Sequence, residues 1–199
     1  MPRKLSDAEV SAFRSEICRV AVEVVVARGY QAVTMREIAR RLGCSAMTPY
    51  RYFANKSEIF AAVRAECVAR FRGWMEREAA RAADVDDPIE VLRRMGRAYV
   101  AFALAEPRAY RLMFEVAELA PGAGAVPQAE AETWGLLLEA ARSAVEHGAL
   151  KGDPEVVAHL FWAGFHGIVS LHHSGRLQLG KTLDDLIEPT LALLTGGRS

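Results

Sequence analysis

The sequence predicts an all-α protein. Apolar side chains recur at steps of three and four residues along almost the whole chain, which is the spacing of one helix face. No segment combines strict alternation of apolar and polar residues with the β-branched enrichment of a strand. The 199 residues, of which 51% are apolar, are enough for one domain or two small ones with a buried core.

The first helix is predicted to begin after a capping box. In this motif the Ser6 hydroxyl accepts a hydrogen bond from the Glu9 N–H, and the Glu9 carboxylate accepts one from the Ser6 N–H. Apolar residues from Val10 to Val24 then form one stripe, and Gly29 ends the helix.

Three further helix starts are marked by polar caps. The segment Thr34-Met-Arg-Glu37 has the spacing of a second capping box and is predicted to open a short helix. Ser45 is expected to cap a third helix over residues 46–52, and Ser57 is expected to cap a long helix that ends near residue 83. The remaining helices are predicted at residues 88–105, 107–119, 127–148, 154–175 and 182–195, separated by glycine and proline.

Residues 34–56 have the pattern of a helix-turn-helix, in which two short helices are joined by a tight turn. Ala39 is small enough for the helices to cross closely, and Gly43 permits a left-handed turn. The second helix of this motif offers its N-terminal side chains to base edges in the major groove. The side chains predicted to face bases are Ser45, Ala46, Met47, Thr48 and Arg51.

Groups suited to phosphate oxygens surround this second helix. They are Thr34, Arg36, Tyr50, Tyr52 and Lys56. Arg51 reaches either a base or a phosphate. Tyr50 either contacts a phosphate through its hydroxyl or only packs, and Thr34 is either a cap alone or also a phosphate contact. Phe53 is expected in the core.

The charge is distributed unevenly, although the net charge is zero. Residues 1–60 carry ten Lys and Arg against six Asp and Glu, or +4, whereas residues 61–199 carry −4. Such asymmetry favours contact with nucleic acid at one end of a chain. We therefore expect a helix-turn-helix domain at residues 1–56 with double-stranded DNA as its partner, followed by a helical domain at residues 57–199.

The sequence lacks the motifs that are typical of membrane proteins, secreted proteins and common enzyme classes. No apolar stretch reaches the length of about 18 residues that a membrane span needs, and no signal peptide is recognisable, so we expect a cytoplasmic protein without membrane contact. Phosphate loops, dinucleotide fingerprints, nucleophile elbows and HExxH motifs do not occur, which favours a protein that is not an enzyme and needs no cofactor.

Metal and disulfide sites are not expected either. Cys18, Cys44 and Cys67 are far apart without a CxxC motif, and all three are predicted core residues. His159 and His166 are seven residues apart, as are His166 and His173, and this spacing separates them by about 10 Å along a helix, too far to bind one metal ion.

The stretch from Gly29 to Glu58, GYQAVTMREIARRLGCSAMTPYRYFANKSE, closely resembles the DNA-binding domain of the tetracycline-repressor (TetR) family. The resemblance covers about 50 residues and implies an all-α dimer that a ligand releases from a palindromic operator. It also implies that Thr34, Tyr50, Tyr52 and Lys56 contact phosphates. By the same resemblance, the side chains that face bases are Ala46, Met47, Thr48 and Arg51.

Two residues depart from the family pattern. Met47 stands where the family often has glycine, and Pro49 stands where it often has leucine. Proline is tolerated in the first turn of a helix. Because Pro49 is the fourth residue after Ser45, we expect the recognition helix to start later or to be distorted.

The C-terminal part is rich in aromatic residues and methionine, which at helical spacing form a core and together can line an apolar pocket. The candidate pocket residues are Met95, Tyr99, Phe102, Tyr110, Met113, Phe114, Trp134, Trp162, Phe165 and His166. Residues 161–171 and 107–114 resemble a TetR subfamily with a Trp/His/Gly signature. A small, largely apolar effector is the expected ligand.

The family resemblance also implies a homodimer through the helices near residues 154–175 and 182–195. Small residues at Ala163, Gly164 and Gly167 permit close helix approach, and an apolar stripe is available in the last helix. The stripe consists of Leu183, Leu186, Ile187, Leu191 and Leu194. The alternatives to a ligand-responsive regulator are an architectural DNA-binding protein without an effector and, third, an enzyme that uses the C-terminal pocket.

Overall fold

The computed structural model describes residues 6–82, 87–114 and 127–196. Within these ranges the regular structure is helical and no strand occurs, which confirms the all-α class. The α-helices are α1 (Asp7–Arg28), α2 (Met35–Leu42), α3 (Lys56–Ala82), α4 (Pro88–Ala105), α5 (Pro107–Phe114), α6 (Gln128–Glu146), α7 (Pro154–His173) and α8 (Leu183–Leu194). Residues 115–119, predicted as the end of the fifth helix, lie outside the described residues.

The predicted capping box of α1 is confirmed. The Ser6 N–H donates to the Glu9 carboxylate over 2.8 Å, and the Glu9 N–H donates to the Ser6 hydroxyl over 3.3 Å. Gly29 ends the helix with a φ of 79°, a value that favours glycine.

Only one half of the predicted capping box at α2 forms. The Glu37 N–H donates to the Thr34 hydroxyl over 3.1 Å, as predicted. The Glu37 carboxylate, however, pairs with Arg28, Arg40 and Arg41. The prediction of a return bond is therefore wrong, because charge-assisted bonds from guanidinium groups outcompete a neutral backbone donor.

The predicted helix over residues 46–52 is wrong in extent. The regular structure there is a single 3₁₀ turn, Pro49–Arg51. An α-helix capped by Ser45 would need the N–H of residue 49 to bond the Ser45 carbonyl, but proline has no N–H. The Thr48 N–H bonds that carbonyl instead, over 2.8 Å. The expected distortion at Pro49 is confirmed.

The cap of α3 is Asn55 rather than the predicted Ser57. The Asn55 side chain accepts from the Glu58 N–H over 3.0 Å, and the Glu58 carboxylate accepts from the Ala54 N–H over 2.6 Å. Asn55 and Glu58 have the spacing of a capping box, so a sequence signal for this start was present.

The chain divides into two compact units. The first comprises Met1–Cys67 and Arg111–Gly124, and the second comprises Val68–Tyr110 and Ala125–Ser199. Helices α3 and α5 therefore contribute residues to both units. The predicted domain ranges, 1–56 and 57–199, stay a prediction, since this division follows spatial proximity and not chain order.

The core of the first unit contains Phe53, which is 1% exposed and confirms its prediction. Cys18 and Cys67 are buried as predicted, whereas Cys44 is only half-buried because it lies in the turn after α2. Burial raises the pKa of the Cys18 thiol to about 11, so the thiol stays protonated at neutral pH.

In the second unit, α4, α7 and α8 meet at Gly96. A Cβ at this position would lie 2.6 Å from the Phe165 ring and 3.1 Å from the Leu191 side chain. Leu183 and Leu191 are 3% and 1% exposed, so their own chain covers these two members of the predicted stripe, and the interface through α7 and α8 stays a prediction. The other three stripe residues, Leu186, Ile187 and Leu194, are half-buried, and the neighbouring Leu193 is exposed.

Candidate functional site

The segment from Thr34 to Lys56, called the reading head below, contains all ten side chains predicted to meet DNA. The exposed ones are Thr34, Arg36, Ser45, Ala46, Met47, Tyr50 and Arg51, and the half-buried ones are Thr48, Tyr52 and Lys56. Hydroxyl, guanidinium and apolar groups of this segment are therefore accessible to a partner. This combination suits phosphate oxygens and base edges.

Arg14 of α1 contacts two residues of the reading head, Tyr52 and Phe53. Its guanidinium lies 3.9 Å from the centre of the Phe53 ring and donates to the Tyr52 carbonyl. The Phe13 ring lies 4.8 Å from the Tyr52 ring. Sequence reasoning missed Arg14, since its backbone partner is 38 positions away and no local pattern connects them.

Lys56 is held by Tyr30. Its ammonium nitrogen lies 4.1 Å from the centre of the Tyr30 ring and donates to the Tyr30 carbonyl over 3.4 Å. An ammonium group carries three donors, so this bond leaves donors that can face a phosphate. Tyr30 is not among the residues predicted to form the site, and it positions Lys56, a predicted phosphate contact.

Glu37 organises the cations of α2. Its carboxylate oxygens lie 2.9 Å from Arg40, 3.0 Å from Arg41 and 2.5 Å from Arg28. Hydrogen bonds from Arg40 and Arg41 lower the pKa of Glu37 to about 2, against burial, which raises it. Glu37 is therefore ionised at neutral pH and fixes one side of α2 while Arg36 stays exposed.

A polar cluster of three side chains lies within the second unit. The Tyr99 and Tyr110 hydroxyls lie 3.2 Å apart, and each is close to Nδ1 of His166, at 3.1 Å and 2.9 Å. Nε2 of His166 lies 3.3 Å from the Ser170 hydroxyl. Burial is the main cause of the raised pKa of Tyr99, with the neighbouring Tyr110 second, so its phenol remains a neutral donor.

The two ring nitrogens of His166 have different hydrogen-bond partners, which are Ser170 at Nε2 and the tyrosine hydroxyls at Nδ1. When Nε2 of His166 carries the proton, it donates to Ser170 and Nδ1 accepts from a tyrosine hydroxyl. The cluster is called the Tyr–Tyr–His cluster below. It brings together three of the predicted pocket residues, from α4, α5 and α7, and supplies directional polar groups inside the second unit.

The other predicted pocket residues are distributed over both units. Met95, Phe102 and Phe165 are buried in the second unit. The Trp134 ring lies 4.4 Å from the His159 ring, tilted by 55°, and 6.2 Å from the Trp162 ring.

Two predicted pocket residues belong to the first unit. They are Met113 and Phe114, at the end of α5. The Met113 carbonyl accepts a hydrogen bond from Arg64 of α3, which lies in the same unit. Eight of the ten predicted residues therefore belong to the second unit and two to the first, and the pocket stays a prediction.

An open groove of about 320 Å³ lies elsewhere in the second unit. Its apolar lining comes from Val100, Ala101, Leu104 and Ile187, and Asp184, Arg97 and Glu188 also border it. Arg97 and Glu188 form a two-point ion pair with distances of 2.8 Å and 2.9 Å. None of the predicted pocket residues lines this groove, which sequence reasoning did not find.

Among the described residues, no three His, Cys, Asp or Glu side chains come close enough to hold a metal ion. No helix in the part of the chain that the structure describes has the length and apolar character needed to cross a bilayer.

Two family models match the chain. The model for bacterial regulatory proteins of the tetR family matches residues 17–63. The model for the tetracyclin repressor-like C-terminal domain matches residues 92–194, which is more than half of the chain.

A curated relative and two solved structures are similar. The HTH-type transcriptional activator FasR from Mycolicibacterium smegmatis is 35% identical over 102 residues, which are 51% of this chain and 45% of FasR, so the match spans less than half of that relative. FadR from Bacillus subtilis in complex with stearoyl-CoA has 20% identity and a TM-score of 0.71, over 93% of this chain and 99% of FadR. AibR in complex with isovaleryl coenzyme A and operator DNA has 20% identity and a TM-score of 0.62, over 92% of this chain and 97% of AibR. At these identities the two structures establish the shared fold.

Proposed function

Because the chain belongs to the TetR family of DNA-binding transcriptional regulators, we propose that it is a repressor released from a palindromic operator by a small, largely apolar effector. The observation that carries the proposal is the reading head. Seven of its ten predicted DNA contacts are exposed side chains on the part of the chain with the positive charge excess. The proposal needs no cofactor and no enzymatic step, and it places the protein in the cytoplasm.

A palindromic operator calls for a homodimer, because two half-sites lie about one DNA turn, or roughly 34 Å, apart. Helix α7 exposes Val156, Leu160 and Leu171, which share one face together with the small Ala163 and Gly167. Exposed apolar faces of this kind favour a protein partner. Leu193 adds an apolar side chain from α8. We assign this surface to a second copy of the chain.

The effector is proposed to meet the Tyr–Tyr–His cluster. Ligand pockets are mostly apolar with a few polar groups that fix orientation, and the cluster supplies such groups. FadR and AibR are described with acyl-coenzyme A ligands. Acyl thioesters are therefore the first effector class to test, with a tyrosine hydroxyl exchanging its bond within the cluster for one to the thioester carbonyl oxygen.

Release from DNA follows by linkage. If the effector favours a different separation of the two reading heads than the operator does, each ligand weakens the binding of the other by the same factor. Helix α5 is suited to this coupling, because Tyr110 belongs to the second unit and Met113 to the first. An effector that moves Tyr110 acts on the helix whose end is bound by Arg64.

A gel shift tests the proposal. The full-length protein is incubated with the DNA that flanks its own gene and with scrambled DNA of equal composition. We expect a dimer complex on the flanking DNA alone and its loss on adding stearoyl-coenzyme A or isovaleryl coenzyme A. Equal binding to scrambled DNA would favour the architectural alternative and contradict the proposal.

A second candidate is an activator, which the name of the relative FasR favours. A transcriptional reporter placed behind the bound DNA separates the two. Deletion of the regulator raises reporter expression if the protein represses and lowers it if the protein activates.

A further inference from the structure

Met47 is a large apolar side chain exposed in the middle of the reading head. It is 67% exposed and lies between the end of α2 and the Pro49–Arg51 turn. Ser45 and Arg51 beside it are exposed and polar. Apolar surface in this position gains stability only when something apolar covers it.

The backbone beneath Met47 is well supported. Its N–H donates to the Ser45 hydroxyl over 3.4 Å, and the Thr48 N–H donates to the Ser45 carbonyl over 2.8 Å. Pro49, two residues further along, is buried. Met47 is therefore an exposed, unbranched side chain on a turn whose backbone is held by hydrogen bonds.

The chemistry of the major groove identifies the partner. Adenine, guanine and cytosine present hydrogen-bonding groups there, whereas thymine also presents a methyl group at C5. A thioether chain has no strong donor or acceptor and suits that methyl group. We propose that Met47 reads thymine methyl groups in each operator half-site. This inference rests on the proposed function and names a specificity determinant within it.

The test has two stages, both with the full-length protein. Binding duplexes are first selected from a randomised library, and each thymine of the selected operator is then replaced by deoxyuridine, which lacks only the methyl group. We expect replacement of one sensitive thymine in a single half-site to weaken binding about four-fold, which is the value of one buried methyl group. Replacement of the equivalent thymine in both half-sites should weaken binding about fifteen-fold.

Variants assign the effect to Met47. Met47→Ala should remove the difference between thymine and deoxyuridine at that position, and Met47→Leu should retain it because leucine is also apolar. Leu179→Ala, which removes another exposed apolar side chain outside the reading head, is the matched control and should behave as wild type. Far-UV circular dichroism should be unchanged in all three variants.

The outcomes are distinguishable. An equal thymine preference in wild type and Met47→Ala overturns the inference and leaves operator binding intact. So does an operator in which no thymine is sensitive to deoxyuridine. If the library yields no sequence that binds better than scrambled DNA, both the proposed regulator function and this inference are overturned.

Discussion

Replacing Gly96 by alanine probes the closest helix contact in the second unit. The added Cβ would lie 2.6 Å from two atoms of the Phe165 ring and 3.1 Å from Leu191. Both neighbours are about 1% exposed, so neither can move into solvent. Overpacking of this kind costs about 1–3 kcal/mol, and two contacts at 2.6 Å place this site near the upper end.

The helix propensity of alanine offsets part of that cost by about 1 kcal/mol. We therefore expect Gly96→Ala to lower the free energy of unfolding by about 2 kcal/mol, which corresponds to a Tm about 4–8 °C lower. Gly135→Ala in α6 is the matched control, because a Cβ there meets nothing within 4 Å. This control should raise the free energy of unfolding by about 1 kcal/mol.

Urea unfolding at one fixed protein concentration measures both variants, since the stability of a dimer depends on concentration. A second change identifies the cause. In Gly96→Ala/Phe165→Leu the smaller side chain relieves the clash, so the double variant should lose less than the sum of the two single changes. If Gly96→Ala is as stable as Gly135→Ala, the packing described for α4, α7 and α8 is wrong.

Three further predictions concern the first unit. Because the pKa of Glu37 is lowered to about 2 in the folded protein, its ion pairs stabilise the fold fully above the usual pKa of 4.5 and lose effect as the pH falls towards 2. The urea midpoint of Glu37→Gln should therefore lie below that of wild type at pH 7 and converge with it at low pH. A difference in midpoint that stays constant with pH would contradict this. Arg14→Ala removes a cation–π contact and a hydrogen bond, so we expect a loss of about 2 kcal/mol in urea unfolding together with weaker operator binding, whereas Arg19→Ala on the same helix, which removes only exposed ion pairs, should change neither noticeably. Iodoacetamide at pH 8 should alkylate the half-buried Cys44 first and leave Cys18 unmodified in the folded protein, and rapid labelling in Cys44→Ser would refute the assignment.

Local signals in the sequence predict helix bounds well. The predicted helix at residues 88–105 coincides with α4, because Asp87 caps it and Pro88 occupies its first position. The Ser6 box and the end at Gly29 are equally local. In each case the deciding groups lie within one helical turn of the boundary.

Predictions that depend on distant partners fare worse. The Thr34 box forms only half because the Glu37 carboxylate binds Arg40 and Arg41 of its own helix and also Arg28 of α1, and only the first two partners are close in sequence. Periodicity places Leu191 in the apolar stripe of α8 and its exposed neighbour Leu193 outside it, but the small Gly96 of α4 that lies against Leu191 has no local signal in α8. Periodicity identifies an apolar stripe but not the helix that will cover it.

The reading head has some features that follow from local sequence signals and others that depend on distant residues. All its candidate DNA contacts were found from residue types and spacing, and the effect of Pro49 follows from the missing N–H. The length of the remaining turn and the support from Arg14 required the three-dimensional structure.

Departures from simple sequence rules concentrate at functional sites, where a locally unfavourable choice is kept for another reason. In this chain two departures stand two residues apart, an exposed Met47 and a Pro49 that replaces α-helix by a 3₁₀ turn. Both lie in the segment proposed to approach base edges, while the scaffold of α1, α2 and α3 has the helix order that the family resemblance implies. A base preference carried over from relatives with glycine and leucine at these positions assumes a backbone that this reading head does not have. The operator must therefore be selected with this chain itself.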